Sequence, residues 1–279
     1  NVQVIATDPS GGTIDDTFMM TVTNLAPVAQ DDAVNVGEDD ADATGNLITG
    51  PGADSETAPD SDPLTVVAAA QGSTAITIGS PFTTLGGGVL TLQSGGGYTF
   101  VPGNAYNGLD VGETAVETIS YTVDDGNGGQ DTAVLVITIT GADDAPVPVD
   151  PGNPGPDPEN PIPANPATII PVQTADDGEA FTAGSPLVNL APYIVDPDAE
   201  PVTFSTLSTL PAGLTLNSDG TVTGTIVNDA SQSGDPGSPG VYTVLVDVTD
   251  GTASVQLTLT IDVSNLVPVA ADDTASVGE

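Results

Sequence analysis

The chain has 279 residues and 39 acidic side chains, with no Lys, Arg, His or Cys, giving a formal charge of −39. Without cations it has no electrostatic footprint for nucleic acid or anionic lipid. Without imidazole, thiol or amine it has no base-activated nucleophile, Schiff base or nitrogen- or sulfur-ligated metal site, and disulfides and Lys–Asn isopeptide links are excluded.

Self-repulsion of this size opposes compaction, so divalent cations are expected at some of the acidic clusters. The length suggests about two domains. Aromatic content is 4%, so cores must be built mostly from Val, Ile, Leu and Thr. Frequent Gly and Pro between β-branched runs predict an all-β fold. No stretch approaches the roughly 20 apolar residues that span a bilayer, and no signal-peptide pattern is read, so membrane insertion is not expected. A carboxylate pair could hydrolyse a glycoside, but there is no Trp platform, and enzymatic activity is not expected.

Residues 1–24 predict a closing hairpin. NVQVIAT alternates Val2, Val4 and Ala6, and TFMMTVT alternates Phe18, Met20 and Val22, with the turn Asp8-Pro9-Ser10-Gly11-Gly12 between them. The pattern recurs at 119–139 and 241–263, each time with an Asp-led, Gly-containing turn and a joint after it. Three copies predict an internal repeat of one β-sandwich plan. Lacking an initiator Met and opening in mid-strand, the sequence reads as an excerpt whose first hairpin closes a preceding domain.

The joint NLAPVAQDDAVNVGE (24–38) returns as NLVPVAADDTASVGE (265–279). Between them, 25–144 predicts one sandwich, with strands near 64–69, 74–78, 88–93 and 98–101. Residues 145–166 are dense in Pro and predict an extended, semi-rigid linker, either a spacer or an irregular strand lying along a neighbouring domain. A second sandwich is expected over 167–265, and 266–279 would supply the first strand of another. The spacing of segments and turns favours sandwiches over a parallel α/β fold. No helical period is evident, and the five tyrosines are assigned to cores or sandwich corners.

Two stretches carry a family resemblance. GGVLTLQSGGGYTFVPGNAYNG (87–108) with ISYTVDDGNGGQDTAVLVITITGADDAPV (119–147) resembles the VCBS and bacterial cadherin-like repeats of giant surface adhesins. YIVDPDAEPVTFSTLSTLPAGLTLNSDGTVTGT (193–225) resembles Ig-like repeats of the same proteins. The resemblance implies tandem Ig-like/cadherin-like β-sandwiches joined end to end, often with calcium at the joints. The cadherin-like joint motif maps onto Gly141-Ala142-Asp143-Asp144-Ala145-Pro146. At 23–27 and 264–268 the Asp before Pro is missing.

Calcium takes six to eight oxygen ligands in irregular geometry. Three ingredients could converge at a joint. One is the Asp of a hairpin turn (Asp8, Asp124 or Asp250), another the joint pair (Asp31-Asp32, Asp143-Asp144 or Asp272-Asp273), and the third an acidic residue after the first strand, such as Glu38. A hairpin turn lies opposite its outgoing joint, so the turn Asp is expected to face the incoming one. A second constellation is Asp60-x-Asp62 and Asp198-x-Glu200, each just before a strand, whose alternate carboxylates would share one side if extended. Asp196, at the head of the same Asp196-Pro197-Asp198-Ala199-Glu200 stretch, is a further candidate ligand. Asp176-Asp177-Gly178-Glu179 and 157–159 read as solvated charge.

The expected role is mechanical: an extender segment of a long secreted bacterial surface adhesin or fibre, with Ca2+ stiffening its joints and neighbouring repeats as partners. The alternative is an extracellular filament subunit that joins like subunits by strand exchange through its incomplete end domains.

Overall fold

In the computed structural model, residues 2–21, 23–55, 62–151 and 170–265 are described. The chain divides into two units, 1–103 with 115–139 and 104–114 with 140–279. Among the described residues every regular element is a strand or a short 3-10 turn. No helix there is long and apolar enough to cross a membrane.

The first unit opens with an antiparallel hairpin of β1 (Val2–Thr7) and β2 (Thr13–Phe18). Its second strand is TIDDTF rather than the expected TFMMTVT. The Asp8 carboxylate ties down the backbone amides of Ser10 and Gly12, so Thr7 pairs with Thr13. The strand is then used up at Phe18, and Met19 and Met20 fall beyond it. Both faces are open: Ile5, Ile14 and Phe18 are exposed.

The sandwich that follows has one sheet built from β3 (Asp32–Gly37), β5 (Thr65–Gln71), β6 (Thr74–Ile76), β10 (Thr114–Asp124) and β11 (Gln130–Thr140), in the order β3-β11-β10-β5-β6. The second sheet holds β4 (Ala43–Asn46), β7 (Pro81–Thr83), β8 (Val89–Leu92) and β9 (Gly97–Val101), in the order β4-β9-β8-β7. The period of two puts Ile119, Tyr121 and Val123 of β10 and Leu135, Ile137 and Ile139 of β11 inside, where they are all but fully buried together with Leu90, Leu92 and Phe100. Each such aliphatic side chain contributes about 1.5–3 kcal/mol.

The second unit is also built of strands in layers. Its larger sheet follows β13 (Gln173–Asp176), β23 (Ser254–Ser264), β22 (Val241–Thr249) and β17 (Thr203–Thr206). Facing residues Val244, Val246, Val248, Leu257, Leu259, Ile261 and Val263 form its core with Leu190, Val222 and Ile226. The other sheet holds β14 (Ala180–Phe181), β15 (Val188–Asn189), β18 (Leu214–Leu216) and β19 (Thr221–Thr225). Two small pairs complete the unit. β12 (Val147–Pro148) pairs with β16 (Ile194–Val195), so the start of the Pro-rich stretch is a strand edge. β20 (Gly234–Asp235) pairs with β21 (Ser238–Pro239).

One acidic stretch departs from its sequence reading. Asp177, expected in solvent, is buried and accepts hydrogen bonds from the backbone amide (3.0 Å) and hydroxyl (2.5 Å) of Ser231. The hydroxyl of neighbouring Tyr242 donates to the Ala230 carbonyl at 2.8 Å. Together these bonds pin the 3-10 turn at Ala230–Gln232 to the rest of the sandwich.

Candidate metal centre

The site is assembled from three segments of the second unit. The first is 140–146, which leaves β11 and runs toward β12. Gly141 has no alternative here, because an added Cβ would overlap the carbonyl oxygens of Leu109 and Asp110. Its amide donates to the Glu113 carbonyl at 3.1 Å. The second segment is the loop Asp196-Pro197-Asp198-Ala199-Glu200 between β16 and β17. The third is the turn between β22 and β23, led by Asp250.

The 196–200 loop is a tight turn, so Asp198 and Glu200 do not meet by the alternation of an extended chain. Oδ1 of Asp196 accepts the amides of Asp198 (3.1 Å) and Glu200 (3.2 Å), and the Asp196 carbonyl accepts that of Ala199. The turn closes only with Ala199 at φ 60°, where it is the one non-glycine residue with positive φ among the described residues. A residue with a Cβ is held there at a cost of about 1–2 kcal/mol. Such strain persists where surrounding contacts over-determine it. The turn aims Asp196, Asp198 and Glu200 at the other two segments.

One carboxylate oxygen each from Asp143, Glu200 and Asp250 lies within 4.8 Å of the other two. Among the described residues this is the one group of three acidic side chains so gathered. Two oxygens on opposite sides of one calcium ion stand about 5 Å apart, so the three can share an ion. Oδ2 of Asp196, Oδ1 of Asp198 and Oδ2 of Asp250 are buried without a hydrogen-bond partner. Leaving such an oxygen unmatched costs about 1–3 kcal/mol, more when charged, and no Lys, Arg or His exists to answer it. An all-oxygen, all-acidic donor set suits a hard cation such as Ca2+, Mg2+ or Mn2+. The residues present therefore fit a divalent ion.

The electrostatics agree. Burial, followed by the charge of Asp250, pushes the Asp143 carboxyl above its ordinary value. Burial also raises Glu200, helped by Asp110, Asp143, Asp196 and Asp250. Asp196 is raised by burial, with Asp250 adding to it against the backbone bond from Glu200. Asp110, not among the residues named from the sequence, sits in the loop that Gly141 packs against, and its isolated position outside any acidic cluster gave it no sequence signal.

The other candidates are placed as follows. Asp144 presents its amide to Oδ2 of Asp198 at 2.8 Å. Asp8 and Asp124 are occupied in their own turns, Asp124 accepting the Gly126 amide (2.7 Å) and the Gln130 side chain (2.6 Å). Asp62 accepts the Asn127 side chain at 2.5 Å. Asp31 accepts the Val134 amide at 3.0 Å, tying the start of β3 to β11. Glu38 is buried just past β3. Asp60, Asp272, Asp273 and the acidic stretch 157–159 lie outside the described residues.

A second buried acidic pair lies in the first unit. The Tyr121 hydroxyl is shared between the Gln30 carbonyl (2.7 Å) and Oδ2 of Asp32 (2.8 Å). Asp54, also buried, accepts the Gln30 amide through Oδ1 at 2.8 Å, and its Oδ2 has no partner. Burial, opposed by the Tyr121 bond and reinforced by Asp54 and Asp31, pushes the Asp32 carboxyl up to about 6. Burial likewise raises Asp54 and, with Asp32 beside it, the Tyr121 hydroxyl.

Residues 24–141 match the family model of the bacterial cadherin-like domain, and residues 163–264 that of the "Putative Ig domain". Domains of these kinds are typically structural or adhesive modules. No curated protein matches the chain. Among solved structures, Drosophila N-cadherin EC1-4 is similar at 14% identity over 87% of this chain and 50% of that one, TM-score 0.45. Human protocadherin-24 EC1-2 is similar at 13% over 88% and 100%, TM-score 0.47. Mouse cadherin-23 EC22-24 is similar at 11% over 86% and 67%, TM-score 0.47. The chain thus spans half the length of the Drosophila structure. It is a tandem of Ig-like, cadherin-like β-sandwich repeats.

Proposed function

We propose that this chain is an extender segment of a long, secreted bacterial surface adhesin, and that calcium bound by Asp143, Asp196, Asp198, Glu200 and Asp250 stiffens the segment linking one sandwich to the next. The observation that carries the reading is the gathering of Asp143, Glu200 and Asp250 beside three buried, unmatched carboxylate oxygens in a chain with no positive side chain. Without an ion those charges repel and loosen the 140–146 segment. With one, repulsion becomes shared coordination. The partners are neighbouring repeats of the same protein, and the setting is extracellular. The test is melting and small-angle scattering of the whole chain in calcium and in chelator. Chelator should lower the melting temperature and change the maximum dimension; a chain unchanged in both would refute the reading.

A second reading rests on a different observation. The β1–β2 hairpin exposes Val4, Ile5, Ile14 and Phe18, whereas the other two long hairpins each bury one apolar row, Tyr121 and Ile137 in one and Val246 and Leu259 in the other. In a filament, a like subunit would cover that hairpin by strand exchange. Intact mass of the native material separates the two: a chain far longer than this one favours the extender, and a polymer of short chains favours the filament.

A further inference from the structure

The first unit holds a buried constellation that the cation site does not use. Gln71, the last residue of β5, Thr84, one residue past β7, and Glu117 on β10 are each no more than 5% exposed. Gln71 and Glu117 belong to one sheet of the sandwich, and Thr84 follows a strand of the other. The Glu117 carboxylate bridges the other two side chains. Its Oε1 accepts the Thr84 hydroxyl at 2.9 Å and its Oε2 accepts the Gln71 side-chain amide. The Gly86 amide holds Oε1 at 2.7 Å, and the Leu85 amide donates to the Gln71 side-chain carbonyl at 2.8 Å. The Thr84 hydroxyl also lies 3.2 Å from the Gly88 carbonyl.

Each part has a chemical role. A hydroxyl on a carboxylate is a nucleophile beside its base. A carboxamide whose carbonyl oxygen faces a fixed N–H is an electrophile with an oxyanion donor in place. The same carboxylate touches both the proton to be removed and the nitrogen that must receive it, so one group can act as base and then as acid. We propose that Thr84 and Gln71 form an intramolecular ester, made by the folded chain itself, that covalently staples the two sheets of the first sandwich.

In that step Thr84 Oγ attacks Gln71 Cδ while Glu117 takes the hydroxyl proton. The Leu85 amide steadies the oxygen that gains charge. Glu117 then returns the proton to Nε2, the Cδ–Nε2 bond breaks, and ammonia leaves. One O–H and one C–N bond are lost and one C–O and one N–H bond are gained, with no change of oxidation state and no external reactant. Glu117 holds both side chains through its two oxygens, which lowers the entropy cost of bringing the reacting groups together, and burial keeps water from reversing the reaction. The staple suits a chain in which disulfides and lysine isopeptides are impossible.

Intact mass spectrometry of the folded full chain decides the matter. The wild type should weigh one ammonia less than its sequence. Digestion at acidic residues should release a single linked peptide containing both Thr84 and Gln71. Thr84→Val and Gln71→Glu, which keep shape, should each show no ammonia loss and yield unlinked peptides. Ammonia lost by cyclisation at Asn107-Gly108 or Asn127-Gly128 would instead survive both substitutions and leave no link. Wild-type protein that shows the circular dichroism of a folded β chain and weighs its full sequence mass, or that keeps its ammonia loss in T84V, would overturn the proposal.

Discussion

The amide of Asp144 donates to Oδ2 of Asp198 at 2.8 Å, so the segment entering the second unit and the strained acidic loop after β16 hold each other directly. The other oxygen of Asp198 is left buried and unmatched. A cation at that oxygen would be coupled to the path of the chain through a single carboxylate.

The first prediction follows from repulsion. Glu200→Gln and Asp143→Asn each remove one of the mutually opposed charges, so in chelator each variant should melt higher than the wild type. In calcium the order should invert, because the wild type gains about 2.7 kcal/mol when the ion is at 100 times its dissociation constant. Thermal melts in both conditions check this crossing. Parallel shifts of wild type and variants would argue against a shared ion.

Acid should act on the first unit in an uncommon direction. Asp32 is raised from 3.8 to about 6, so the folded state binds its proton more tightly than the unfolded state does. Its contribution is therefore fully favourable below 3.8 and is lost as pH rises toward about 6. Melting of the first unit should fall as pH rises through that window. Asp32→Asn, which keeps an oxygen to accept the Tyr121 hydroxyl, should flatten this dependence.

Ala199 offers a test of strain. Glycine at φ 60° escapes the Cβ clash of about 1–2 kcal/mol but adds about 0.5–1 kcal/mol of unfolded-state entropy. Ala199→Gly should thus stabilise the second unit by about 0.5–1 kcal/mol in chelator, measured by denaturant unfolding. A loss of stability would mean that the turn gains something from the methyl group.

Gly141→Ala should do the reverse. Its methyl group must displace the Leu109 and Asp110 carbonyls, and overpacking of this kind costs about 1–3 kcal/mol. Because Asp143 follows two residues later, the variant should also lose calcium affinity in isothermal titration.

The sandwich cores were legible because inward residues of the long hairpins alternate without interruption: Ile119, Tyr121 and Val123, then Tyr242, Val244, Val246 and Val248. Asp143, Asp196, Asp198, Glu200 and Asp250 were all named from the sequence, but their convergence depends on loop geometry that spacing does not encode. The strained Ala199 turn replaced an expected extended pair, since one carboxylate could satisfy two backbone amides. Glu117 carried a readable signal that was passed over: it shares the parity of Ile119 and Tyr121, and an acidic residue on an inward row calls for partners. Asp177 could not be found this way, because its partner Ser231 is 54 positions away.

The parallel pairing of β13 with β23 has a consequence for force. Gln173 pairs with Ile261 and Asp176 with Ser264, so the strand entering the second sandwich lies alongside the strand leaving it. A pull between residues 173 and 264 runs along this ladder, loading its hydrogen bonds together in shear instead of unzipping them singly. The same four-residue contact that completes the sheet therefore also serves as a mechanical clamp.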